Sequence, residues 1–108
     1  MDDLTEMLKG LLEGAVLQVL ARGPNHGYEI VRALNQVGFT SVAEGTVYPI
    51  LMRLEKKRLV EVTKVRSELG PPRKVYSLNA DGRAALDSFW HRWGFVTTAL
   101  NSIKENES

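Results

Sequence analysis

Apolar and polar positions recur along this chain with a period that changes twice. Leu4, Met7, Leu8, Leu11, Leu12, Ala15, Val16, Val19 and Leu20 return at i, i+3, i+4 and i+7. That spacing predicts a helix over residues 4–22 with one wide buried face, stopped by Gly23-Pro24. Asn25 is placed to cap a second helix, in which Ile30, Val31 and Leu34 face inward and Gly38 marks the stop. Ser41-Val-Ala-Glu44 has capping-box spacing ahead of a third stripe, Val47, Ile50, Leu51 and Leu54. Pro49 interrupts that stripe. It has no N–H for the carbonyl of residue 45 and its ring crowds it, so the helix starts near residue 45 or bends in its first turn.

The period then drops to two. Val60-Glu-Val-Thr-Lys-Val-Arg66 alternates, Ser67-Glu-Leu-Gly-Pro-Pro72 is turn chemistry, and Arg73-Lys-Val-Tyr-Ser-Leu78 alternates again, which predicts a β-hairpin. Asn79 or Asp81 caps a last helix running to about residue 104, with residues 105–108 a frayed tail. Three helices, a hairpin and a long helix make a mainly α chain with a small β-hairpin (α+β). This is the order of a winged helix-turn-helix domain, residues 1–79, followed by a C-terminal dimerisation helix, residues 80–104.

On the last helix Leu86, Phe89, Trp93, Val96, Leu100 and Ile103 are spaced 3, 4, 3, 4, 3, an a/d seam. One domain of 108 residues has little left to cover so long a stripe, so a homodimer is expected. The first helix, through Leu8 and Leu12, is expected to join that interface. Two such subunits would hold their third helices about one DNA turn apart, roughly 34 Å, and read a pseudo-palindrome.

Composition narrows the chemistry. With no cysteine, disulfides, Cys-ligated metals and thiol nucleophiles are excluded, and two histidines, His26 and His91, are too few for an all-histidine metal site. There is no P-loop, no Gly-x-Ser-x-Gly and no His-Glu-x-x-His, so neither an enzyme nor a cofactor is expected. No apolar run reaches the roughly 18 residues of a membrane span, and the start is acidic where a secretory signal is basic. A cytoplasmic protein is expected.

The net charge of +1 conceals an uneven distribution. Residues 32–83 hold ten basic residues against five acidic, or +5, while the flanks hold four against eight, or −4. A basic centre suits a polyanion, although a merely solvated surface has the same composition. With its apolar stripe inward, the third helix turns Gly45, Pro49, Met52, Arg53 and Lys56 outward, with Thr46 and Tyr48 at its shoulder. Arg53 suits a bidentate contact with guanine, and Lys56 and Lys57 suit phosphates. Tyr48 is equally a packing residue, and Lys57 equally a complement to the helix dipole. Lys64 and Arg66 lead into the hairpin loop and Arg73 and Lys74 lead out. Together they suit a wing on double-stranded DNA, or an edge strand protected by charge.

These residues resemble the PadR family of winged-helix transcriptional regulators. The matching stretches are His26-Gly-Tyr-Glu-Ile30, Glu44-Gly-Thr-Val-Tyr-Pro-Ile-Leu-Met-Arg-Leu-Glu55, Gly70-Pro-Pro-Arg-Lys-Val-Tyr-Ser-Leu78 and Asn79-Ala-Asp-Gly82. The short chain with one C-terminal helix resembles the smaller subfamily, which includes a lactococcal multidrug-sensing regulator. The resemblance implies a homodimeric repressor of nearby genes. It also implies that Tyr28, Thr46, Tyr48, Lys56, Arg73 and Lys74 fall where the family touches DNA. Gly-Pro-Pro stands in the wing where relatives often have Gly-Gly-Arg, which stiffens the tip and removes a basic group. In the multidrug-sensing member an aromatic residue on the last helix stacks flat drugs between the subunits. Trp93 matches that position, Met7 matches a pocket-lining one, and Trp90 lies beside them. Gly10, Gly14 and Gly94 would leave room for such a cavity, which Phe89, Trp90 and Phe95 could equally fill. A winged-helix module that binds protein, and a repressor without a ligand, are the alternatives.

Overall fold

The computed structural model describes residues 11–106. Leu4, Met7, Leu8 and Gly10 therefore lie outside the described residues. The first helix, α1, spans Leu12–Ala21. A two-residue strand, β1 (Asn25–His26), leads into α2 (Gly27–Gln36), and a turn leads to α3 (Glu44–Lys56). Strands β2 (Val60–Val65) and β3 (Arg73–Leu78) form the hairpin, and α4 (Ala80–Glu105) ends the described chain.

The inward positions expected of α3 are the buried ones: Val47, Ile50, Leu51 and Leu54. They meet Val16, Leu17 and Leu20 of α1, Ile30 and Leu34 of α2, and Val60 and Tyr76 of the sheet. Each such side chain contributes about 1.5–3 kcal/mol by leaving water. Pro49 sits inside α3, and the helix starts at Glu44.

The caps expected of the second and third helices are corrected. Asn25 does not cap α2: its Oδ1 accepts from the adjacent His26 N–H at 3.0 Å, and the residue pairs with Tyr76 as part of β1. The N-cap position of α3 is Ala43, not Ser41. The turn between the two helices is held instead by Asn35, whose amide donates to the carbonyls of Phe39 at 2.8 Å and Val42 at 2.9 Å. Gly38 closes α2 with φ +118, in the region glycine adopts without steric cost.

The hairpin gains a third strand. The antiparallel order is β1-β3-β2, with Val60 opposite Leu78, Val65 opposite Arg73 and His26 opposite Val75. A strand of two residues is too short to leave an alternating pattern in the sequence.

Asn79 forms the joint between sheet and α4. Its side chain accepts from Gly82 N–H at 2.8 Å and donates to the Arg58 carbonyl at 2.8 Å and to Glu61 at 3.0 Å. Gly82 packs so closely on the Leu59 carbonyl that no Cβ fits there. From this joint α4 runs 26 residues, about 39 Å.

Candidate nucleic-acid interface

A helix turns 3.6 residues per revolution, so the four buried positions of α3 leave Gly45, Pro49, Met52 and Lys56 on the opposite side. Met52 is 68% exposed, and Gly45, Pro49 and Lys56 are exposed as well. Lys56 has no carboxylate partner among the described residues.

Arg53 and Lys57 are placed differently from the expectation. Both turn toward α1, where the Glu13 carboxylate lies 3.0 Å from Lys57 Nζ and 3.7 Å from Arg53 Nε. They stand on the flank of the outward face rather than at its centre, and one acid shares both charges. Forty or more residues separate Glu13 from its partners, and no local pattern signals such a pairing. Thr46, half-buried, shares that flank. Tyr48 lies on the other flank, its ring across Gly27, where a Cβ would overlap it. It therefore packs, while its ring remains 38% exposed.

The wing is joined to the start of α2 by an aromatic stack. The His26 and Tyr28 rings lie 5.6 Å apart and 12° from parallel. Arg73 donates to the Tyr28 hydroxyl at 3.1 Å, its guanidinium carbon 5.4 Å from the ring centre. Tyr28 thus fixes the root of the wing on the helix-turn-helix, and the sequence motif had not revealed that His26 backs it. Arg66 and Lys74 are exposed, as is Lys64, and no acid pairs with them among the described residues. The outward face of α3 thus joins an uncharged patch, Gly45, Pro49 and Met52, to one exposed cation, Lys56, and the wing carries exposed cations of its own. Such cations suit phosphates, and an uncharged helix face suits base edges.

The chain matches the model of the transcriptional regulator PadR-like family over residues 16–88. It belongs to that family. A PadR-like transcriptional regulator from Bacillus cereus is 43% identical, covering 91% of this chain and 95% of the other with a TM-score of 0.79. A Streptococcus transcriptional regulator is 37% identical over 91% and 96% of the two chains, with a TM-score of 0.80. A PadR-family regulator from Eggerthella lenta is 27% identical over 94% and 88%, with a TM-score of 0.86. The PadR-like family is one of DNA-binding transcriptional regulators and not of enzymes, so the winged helix here serves transcriptional regulation. Among the described residues no group of acids and histidines is arranged to hold a metal, and no helix is long and apolar enough to cross a membrane.

The seam expected on α4 divides in two. Leu86 is 7% exposed and belongs to this chain's own core, as does Leu12 at 4%. Phe89 is half-buried, its ring laid against Gly14 so that a Cβ there would overlap it. All three pack within the chain, Leu12 from α1 and Leu86 and Phe89 against that helix. Gly14 likewise admits a phenylalanine and opens no cavity. Trp93, Val96, Leu100 and Ile103 remain uncovered. Between α1, α2 and the root of α4 lies an apolar groove of about 440 Å³, lined by Trp90 and Trp93 on one side and Ala33, Val37 and Phe39 on the other. Trp90 donates its indole N–H to Gln18 at 2.7 Å and meets Phe89 edge-on.

Proposed function

We propose that this PadR-family chain is a repressor that binds a pseudo-palindromic operator as a homodimer. Residues 1–79 read the DNA and residues 80–104 pair the subunits. The observation that carries the reading is a set of exposed cations, Lys56 on the outward face of α3 and Arg66 and Lys74 on the wing, with no acid paired to them among the described residues. Met52, with Thr46 and Tyr48 on its flanks, faces the base edges. Lys56, Arg66, Arg73 and Lys74 hold phosphates, and Tyr28 orients Arg73. Arg53 and Lys57 reach the backbone only by leaving Glu13. Trp93, Val96, Leu100 and Ile103 form the subunit seam, which the length of uncovered apolar helix supports. A small flat aromatic molecule stacked on Trp90 and Trp93 in the α1–α2–α4 groove releases the DNA. It does so by binding more tightly to one spacing of the two recognition helices than to the other.

Fluorescence anisotropy with DNA from upstream of the gene, against random duplex of equal length at two salt concentrations, tests the first part. Preference on the order of 10³-fold for a two-fold-symmetric site is expected. Equal and steeply salt-dependent binding to both duplexes would refute sequence-specific repression. Sedimentation equilibrium tests the dimer, and quenching of Trp93 by a flat hydrophobic cation such as a Hoechst dye tests the ligand.

A further inference from the structure

Gly45 lies at the middle of the outward face of α3, and nothing within the subunit calls for a glycine there. A Cβ at this position meets no atom within 4 Å, whereas at Gly14, Gly27 and Gly82 it would strike a phenyl ring, a tyrosyl ring and a carbonyl oxygen. Nor does its backbone need one, since it is right-handed helix, unlike Gly23 at φ +150 and Gly38 at φ +118. Glycine in a helix is about 1 kcal/mol less favourable than alanine. Four residues on, Pro49 removes the donor that the Gly45 carbonyl would have in a regular helix. Two choices that weaken the helix therefore meet on one exposed patch beside Met52 and Lys56. Gly94, on the uncovered part of α4, is the other helical glycine in open space among the described residues.

We propose that Gly45 is the point at which the DNA major groove comes closest to α3, and that it determines specificity by the absence of a side chain. This rests on the DNA-binding face proposed above. A base edge packs against the bare Cα, where any side chain would hold it away. A methyl group at position 45 lifts the helix by about an ångström, enough to break base-edge hydrogen bonds, which weaken beyond about 3.2 Å. Long lysine and arginine side chains follow the phosphates across the same displacement.

The test uses the full chain and an operator enriched by the wild-type protein from a random duplex library. Gly45→Ala is expected to melt higher than wild type, to keep its oligomeric state, and to lose at least about tenfold in operator affinity, the scale of one base-edge contact. Its affinity for random duplex and its salt dependence stay within threefold of wild type, and Gly45→Leu loses more operator affinity than Gly45→Ala. Operator affinity within twofold of wild type would overturn the proposal, as would an equal loss on both duplexes or a lowered melting temperature. If the wild-type protein enriches no sequence at all, the DNA-reading face itself falls and the proposal with it.

Discussion

Lys56→Ala and Arg53→Ala are predicted to differ sharply, although the two residues lie three positions apart on one helix. Lys56 stands opposite the buried stripe with no ion pair among the described residues, while Arg53 lies on the flank within 3.7 Å of the Glu13 carboxylate. Binding of DNA releases condensed counterions, and log K falls with log salt by about 0.9 for each phosphate neutralised. Lys56, Arg66, Arg73 and Lys74 give a slope of about −3.6 per subunit and about −7 per dimer. Lys56→Ala flattens the dimer slope by about 1.8, so that a fourfold rise in salt weakens it about twelvefold less than wild type. Arg53→Ala leaves the slope unchanged, because Glu13 already neutralises that charge. Glu13→Gln removes the one negative charge beside Arg53 and Lys57 and steepens the slope by up to about 0.9 per subunit. Its stability shifts by less than about 1 kcal/mol, since the pair is partly solvated. Anisotropy titrations of a labelled operator between about 50 and 200 mM salt measure all three slopes. If Arg53→Ala flattens the slope as much as Lys56→Ala does, Arg53 exchanges Glu13 for a phosphate and the placement of the two charges argued above is wrong.

Asn35→Ala removes two hydrogen bonds, at 2.8 and 2.9 Å, from the turn that positions α3. It should cost about 1–3 kcal/mol in urea unfolding and weaken operator binding; full operator affinity would show that the turn holds itself. Arg58 is the one non-glycine residue at positive φ among those described, φ 60, just past the end of α3. Arg58→Gly relieves about 1 kcal/mol of left-handed strain and should raise the melting temperature by roughly 4–8 °C. No rise would mean that the added freedom of glycine in the unfolded chain offsets the relief. Burial pushes the Tyr76 hydroxyl above its ordinary pKa of 10.0, helped by the Glu55 carboxylate and by Tyr48. The folded protein then holds that proton more tightly than the unfolded chain. The stability it adds is complete below about pH 10 and is lost as pH rises through the raised value. Tyr76→Phe should flatten the alkaline fall in the urea midpoint, and an unchanged fall would place the titrating group elsewhere.

Periodicity exposed what local burial decides. The four inward residues of α3, the two strands of the hairpin and the extent of α4 all follow from repeats of 3.6 or 2 within one element. Pairings between distant segments left no such trace. Glu13 reaches Arg53 and Lys57 across the tertiary fold, and β1 is a strand only because β3 lies beside it. The heptad spacing from Leu86 to Ile103 is continuous in sequence, yet α1 takes its first two members and leaves the rest. A period identifies which face of a helix is apolar but not what covers it. Capping divides for a related reason: Asn25 and Asn79 both have capping chemistry, but only backbone geometry decides whether a side-chain oxygen meets a free N–H, and it does so at Asn79 alone of the two. For the outward face of α3, the residue types were legible while their electrostatic neighbours were not.

The joint at Asn79 ties the end of α3, the first residues of β2 and the first turn of α4 with three side-chain hydrogen bonds. The helix-turn-helix, the hairpin and the root of the long helix are therefore tied to rotate together as one lever. Over a length of about 39 Å, a tilt of only about 5° displaces the far end by about 3.4 Å, the rise of one base pair. In the proposed dimer, small adjustments where the two α4 helices meet become whole base-pair steps in the spacing of the recognition helices.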